Sequence, residues 1–197
     1  MTPDLPAVEA AIVEMTNLFR RQNRLTELRR VSALDKVARH YAYFLARTGR
    51  FAHNADGRSP GERTEAGGYR YCLVAENLAL HGRSTGFQSR ELAGLAVEGW
   101  KGSPGHRRNM LTRFATEIGV GVARAPRTQR YLSVQVFARP ASMRFSFKIR
   151  NQTPFTLTYR YEEKQHDLPP RIVVTHTVCR PGTLTFGPVS KRGVRRG

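Results

Sequence analysis

Apolar residues recur at helical spacing near the start of the chain: Val8, Ile12, Met15 and Phe19 follow Pro6 and precede the polar run Arg20-Arg21-Gln22-Asn23, which predicts one helix. A second stripe holds Leu34, Val37, Tyr41, Phe44, Leu45 and Thr48. Ser32 and Asp35 would open it as a weaker version of the capping box, and Gly49 would end it. Residues 54–72 are rich in Gly, Arg and Glu and lack a period beyond one short turn of helix, so they read as a long loop of the kind that carries function. A third helix is predicted from Ser89 through Leu92, Leu95, Ala96 and Trp100, broken by Gly102, Pro104 and Gly105. The period then changes. Residues 118–123 and 131–138 form two strand-like runs joined by the polar Pro126–Arg130 turn, which predicts an antiparallel hairpin.

Beyond Pro140 the pattern is strand throughout. Phe145, Phe147 and Ile149, then Phe155, Leu157, Tyr159 and Tyr161, are expected on one face, with Thr156, Thr158 and Arg160 on the other; Ile172, Val174, His176 and Val178 alternate likewise. The expected organisation is a first domain over 1–140 and a basic β-rich extension over 141–197, too small to be independent and therefore packed on the first.

Composition narrows the function classes. An apolar share of 40% in 197 residues excludes a disordered chain, and no apolar run approaches the roughly 20 residues a membrane-spanning helix needs. The net charge is +18, with 28 Arg among 33 cations, so planar bidentate recognition of carboxylates or phosphates is favoured. Cations outnumber anions 22 to 12 in the first 140 residues and 11 to 3 in the last 57, ending in the tail Lys191-Arg192-Gly193-Val194-Arg195-Arg196. An anionic lipid or cell-wall polymer surface is the expected partner of that charge, bound in a salt-sensitive way. Nucleic acid is the weaker alternative, because no helix-turn-helix, zinc-finger or aromatic-basic strand signature accompanies the charge.

Three strings concentrate the unusual residues: Phe51-Ala52-His53 followed by Gly57-Arg58-Ser59-Pro60, Ala75-Glu76-Asn77-Leu78, and Trp100 through Ser103-Pro104-Gly105-His106 to Asn109-Met110-Leu111. Their order and spacing resemble the CAP superfamily, the domain of cysteine-rich secretory proteins, venom antigens and plant pathogenesis-related proteins, in its short bacterial form. Ile118-Gly119-Val120-Gly121 and the Tyr131–Phe137 run fit the same pattern, so the resemblance spans roughly residues 10–139. It implies an α+β fold, an α-β-α sandwich with a three-stranded antiparallel sheet, to which the small antiparallel β extension is added. It further implies a cleft where two histidines and two acids meet, here His53, Glu76 and His106. The second acid of the family falls on Ser103 or Pro104 in this chain; Glu98, Glu62 and Glu65 are candidate substitutes.

Two imidazoles and one carboxylate from separate segments are a set that a divalent ion, zinc above all, takes with a fourth position left open. The same residues also read as a histidine held by a glutamate in a polar cleft. Asn77 is expected to bridge two loops through its amide, and Trp100 to belong to the core. His40, His81, His166 and His176 read as structural or surface residues. The leading expectation is a secreted binding module whose cleft takes a divalent metal or a small hydrophobic or anionic ligand. The rival is a metal-dependent hydrolase with Glu76, His53 and His106 as catalytic candidates, weakened by Ala52 beside the first histidine. An extracellular or periplasmic location is expected, with a signal peptide removed ahead of Met1; a cytoplasmic location is the alternative. Cys72 and Cys179 fall one in each part, where a disulfide would staple the extension down.

Overall fold

The computed structural model describes residues 1–187, so the basic tail lies outside the described residues. The chain divides into two compact units, Met1–Ser142 and the residues from Met143 onward.

In the first unit, helix α1 (Leu5–Gln22) starts at the predicted proline turn, and its stripe of Val8, Ile12 and Phe19 is buried. Helix α2 (Ser32–Thr48) ends where Gly49 adopts the left-handed φ of 68° that a residue with a Cβ resists. The expected capping role of Asp35 is not found: the residue before the helix, Val31, makes no side-chain cap, and Asp35 turns inward. The loop after α2 contains two turns of helix, α3 (Pro60–Ala66), opened by a reciprocal capping box between Ser59 and Glu62. Helix α4 (Ser89–Gly102) follows the third predicted helix, although Leu95 is exposed rather than part of its buried stripe. Pro104 does not simply break that helix. It occupies the first turn of another, α5 (Pro104–Met110), where its missing N–H costs nothing.

A mixed sheet lies between these helices in the order β1 (Arg29–Arg30), β3 (Glu117–Arg124), β4 (Arg130–Pro140), β2 (Tyr71–Gly82). Its three long strands are antiparallel, as expected, and β1 adds a two-residue parallel edge. Ile118, Val120, Val122, Tyr131 and Phe137 face α1, α4 and α5. Leu78, Leu132, Val134, Val136 and Ala138 face α2. Gly119 and Gly121 let α2 rest directly on β3: a Cβ at either would lie within 2.5 Å of the α2 backbone.

Several outward main-chain groups of both outer long strands are bonded. Ile118 O accepts from Val31 N at 2.9 Å; farther along β3, Val120 N–H donates to Asp35 Oδ1 at 2.9 Å and Val122 N–H to Glu9 Oε1 at 3.3 Å. Glu9 and Asp35 are buried but neutralised, since Arg30 bonds both and Arg39 grips Glu9. On β2 the indole N–H of Trp100 donates to Leu78 O at 2.9 Å, and Asn109 Nδ2 donates to Glu76 O at 3.1 Å. Trp100 is thus a core residue with a satisfied polar edge.

The second unit holds a two-stranded sheet of β5 (Phe145–Arg150) and β8 (Val173–Val178), and a three-stranded sheet in the order β7 (Lys164–Leu168), β6 (Leu157–Tyr161), β9 (Leu184–Phe186). It buries a small core of its own, Ile149, Tyr159 and Leu168, with Phe147, Leu157, Tyr161 and Val174 around it. Phe145 and Phe155 are exposed rather than part of that face. His166 and His176 are built into the cluster: His176 stacks on Phe147 and its Nε2 lies 2.7 Å from the Tyr159 hydroxyl. Asn151 ties the loops together, donating from Nδ2 to the carbonyls of Phe155, Leu168 and Pro169. Neither Cys72 nor Cys179 is a free thiol.

Candidate functional site

Glu76 sits in the middle of β2, opposite Val136, and is 4% exposed. A carboxylate at that depth is costly unless it is paired. Arg63, one turn into α3, supplies the pair: its Nη2 donates to both Glu76 oxygens at 2.9 and 2.8 Å, while Nη1 donates to Asp56 Oδ1 at 2.9 Å and to Arg58 O at 2.6 Å. The Arg63 guanidinium also stacks 3.4 Å from the centre of the Tyr41 ring.

His53 completes the chain of contacts. Its Nδ1 lies 2.8 Å from Glu76 Oε1. Because a carboxylate facing it can only accept, Nδ1 is the protonated nitrogen and Nε2 is left as the acceptor. The loop bearing His53 is held by Tyr41, whose hydroxyl donates to Ala52 O and accepts from Ala55 N–H at 3.0 Å. Burial raises the pKa of that hydroxyl, which keeps it protonated and able to play both parts.

His106 arrives from the first turn of α5. Asn77 Nδ2 donates to its carbonyl at 3.2 Å and to Gln135 Oε1 at 3.2 Å, and Asn77 Oδ1 accepts from Asn109 Nδ2 at 2.9 Å. Asn77 therefore bridges the segment carrying His106 to the sheet, the role its burial and its amide suggest. Gln135 continues the network to Thr16 Oγ1 at 2.8 Å. The His106 imidazole has its pKa lowered, by burial first and by the neighbouring His53 second, so it is neutral at physiological pH. Arg107 and Arg108 are exposed, and the Arg107 guanidinium covers the Phe19 ring at 4.8 Å.

The structure thus brings His53 and Glu76 into contact and sets His106 close enough to His53 for charge to be felt between them. It does not bring in the three candidate acids. Glu62 caps α3, Glu98 pairs with Lys101, and Glu65 lies exposed on α3. Among the described residues no group of three or more His, Cys, Asp or Glu is arranged to hold a metal ion. Glu76 fits poorly as a third ligand because both its oxygens already face a buried guanidinium. Arg63, Asp56 and Tyr41 are the members that sequence reading misses. The signal available for Arg63 was the run Ser59-Pro60-Gly61-Glu62, which spells a capping box with proline in the first turn and puts Arg63 on an ordered helix.

One further histidine has a consequence for pH. His81, on β2, has a lowered pKa caused by burial, and its Nδ1 is buried without a partner among the described residues. Below the ordinary imidazole value near 6.5 the unfolded chain binds a proton there that the folded chain does not. The contribution of His81 to stability should therefore fall as pH drops from about 7.5 through that value. Urea denaturation at pH 7.5 and 5.5 should show a smaller difference in His81→Phe than in the wild type; equal differences would remove His81 from the account.

Comparison with known proteins places this architecture. Residues 13–137 match the model of the cysteine-rich secretory protein family, CAP. The uncharacterized protein YkwD of Bacillus subtilis is 32% identical over 116 residues, which is 58% of this chain and 42% of YkwD; the uncharacterized membrane protein YlbC of the same organism is 29% identical over 125 residues, 63% of this chain and 34% of YlbC. The chain therefore spans less than half the length of either relative. Among solved structures, an extracellular protein containing an SCP domain from Bacillus anthracis superposes with a TM-score of 0.56 at 26% identity, covering 68% of this chain and 41% of that one. An outer surface protein of Borrelia burgdorferi shares the fold with a TM-score of 0.57 at 21% identity, covering 66% of this chain and 90% of that one. With its sandwich, its cleft residues and more than half its length accounted for by one family model, the chain belongs to the cysteine-rich secretory protein (CAP) family.

Proposed function

We propose that this CAP domain is an extracellular binding module whose cleft presents the His53 and His106 imidazoles to a small ligand or a divalent metal ion. The supporting observation is the chain Arg63, Glu76, His53. Arg63 cancels the charge of Glu76, Glu76 fixes the tautomer of His53, and the Nε2 lone pair is left for a ligand. His106, neutral for the reasons given, offers a second imidazole. Glu76 then orients one histidine from behind, the place a carboxylate takes behind a metal-bound imidazole, and is not itself a ligand. A bound zinc-like ion would supply Lewis-acid character at the cleft, held by two protein nitrogens and hence modestly. Binding is preferred to turnover because Glu76 is engaged on both oxygens and Ala52 offers no hydroxyl beside His53. The extracellular assignment draws on the Bacillus anthracis and Borrelia burgdorferi proteins, described as extracellular and outer-surface.

Calorimetric titration with Zn²⁺ at pH 7.5 should give one site, lost in the His53→Ala/His106→Ala double variant and weakened at pH 5.5 as protons compete for the imidazoles. Glu76→Gln should weaken it less than the loss of either histidine. Zinc binding that survives in the double variant would overturn the assignment of the cleft.

A further inference from the structure

A cavity of about 400 Å³ lies between α2, the loop that follows His53, and α3, a volume within the usual range for small-molecule sites. None of His53, Glu76 and His106 lines it. Lys36, Val37, His40, Tyr41 and Phe44 recur at helical spacing, so one face of α2 forms its wall. Asp56 and Arg58 from the loop and Arg63 and Ala66 from α3 complete the lining that matters here. Val37 and Tyr41 are buried, and the partly exposed Phe44 ring stacks on Tyr41 with 6.2 Å between centroids.

The basic side chains around the cavity narrow the ligand. Lys36, His40 and Arg58 are exposed, and among the described residues their side chains have no hydrogen-bond or ion-pair partner. Arg63 is 7% exposed and spends Nη1 and Nη2 on Asp56, Arg58 O and Glu76, yet its Nε–H is buried without a partner among the described residues. A buried donor left unpaired is costly, and it adds positive potential to the lining. Asp56 is the acid of this lining, and its Oδ1 is already engaged by Arg63 and, at 3.2 Å, by the Arg58 amide. Three unpartnered basic side chains from two elements exceed what the two oxygens of a carboxylate answer. A phosphomonoester brings three terminal oxygens and a charge of about −1.5 to −2, one oxygen for each side chain. The apolar part of the wall is short and aromatic, which suits a compact flat ring.

We propose that this cavity binds a small phosphomonoester carrying a planar ring, with its phosphate on Lys36, His40 and Arg58 and its ring against Val37 and Phe44. Arg63 is shared between this cavity and the cleft while the ligands remain distinct: Nη2 holds Glu76 behind His53, and Nε belongs to neither of its carboxylate pairs. Binding depends on both halves of the ligand. A neutral aromatic leaves the basic side chains unused, and inorganic phosphate leaves the apolar wall wet.

The test is titration of the whole chain with phenyl phosphate at pH 7.5, followed through backbone amide NMR shifts, with inorganic phosphate, benzoate and benzyl alcohol as comparisons. Expected are one saturable site, shifts centred on residues 36–44 and 56–66, and at least tenfold weaker binding of each comparison compound. Lys36→Gln/Arg58→Gln, at exposed positions, should weaken phenyl phosphate about tenfold or more, and Ala66→Glu should do the same by placing an anion in the lining. His53→Ala/His106→Ala should bind as the wild type does, which separates this site from the cleft. The proposal is overturned if no saturable shift appears, if benzoate binds as tightly as phenyl phosphate, if the Lys36/Arg58 double variant binds unchanged, or if binding is lost with the cleft histidines. Equal affinity for inorganic phosphate would leave an adventitious ion only and overturn it likewise. A phosphotyrosine peptide binding at least tenfold more tightly than phenyl phosphate would overturn the small-molecule ligand in favour of a protein partner.

Discussion

Arg63→Met is expected to destabilise the first unit by about 3–5 kcal/mol, the cost of leaving a buried carboxylate without its cation. Glu76 is 4% exposed and Arg63 7%, so water cannot take over the lost bonds. The same change removes the donor to Asp56 and to the Arg58 carbonyl, which loosens the segment between His53 and α3. Arg63→Met/Glu76→Leu should recover most of the loss, since apolar groups of similar volume often replace a buried pair at little cost. It should nonetheless abolish the zinc binding proposed for the cleft, because nothing would then hold the His53 ring in its tautomer. Urea midpoints of the wild type, both single variants and the double variant give the coupling energy directly. A cost below about 1 kcal/mol for Arg63→Met would show that Glu76 does not depend on this cation.

Gly121→Ala should be comparably severe. The added Cβ would lie 2.1 Å from Arg39 N, 2.3 Å from Ala38 C and 2.5 Å from Arg39 Cα, all backbone in the middle of a helix that cannot shift alone. Overpacking a core typically costs about 1–3 kcal/mol when side chains can yield, and here the obstacle is main chain, so about 3 kcal/mol or more is expected. Displacing α2 would also draw Asp35 away from the Val120 amide, adding an unsatisfied group. Gly119→Ala meets Leu34 and Asp35 in the same manner, and the pair together should leave no cooperative thermal transition. Far-ultraviolet melting curves decide the matter; a Gly121→Ala protein that melts with the wild type would mean that α2 and β3 are not so closely apposed.

The parts legible in the sequence are those where one periodicity rules without interruption. Helices α1 and α2 show their buried stripes and their ends because Pro6 and Gly49 punctuate them. Strand β2 was harder to see, since Glu76 and Asn77 fall in its middle and break the alternation; only tertiary partners make those residues tolerable in a sheet. Helix α5 was hidden by a proline that reads equally well as an end and as a beginning. In the second unit, β7 carries Lys164, Gln165, His166 and Asp167, so its pairing with β6 leaves little hydrophobic trace. The cleft was legible in its three motif residues through their order along the chain. Its logic was not, because the partner that determines whether Glu76 acts as ligand or as support is Arg63, thirteen residues earlier on a different element.

The flanks of the first sheet are capped at four positions where another strand could otherwise pair. A strand arriving beside β3 would find the amides of Val120 and Val122 already bonded to carboxylates, and one arriving beside β2 would find the carbonyls of Glu76 and Leu78 taken by Asn109 and Trp100. Edge-to-edge growth into shared sheets, the ordinary route to aggregation for an open β-sheet, would first have to break those bonds and uncover buried charge. At these positions the domain is protected against self-association by its own polar side chains.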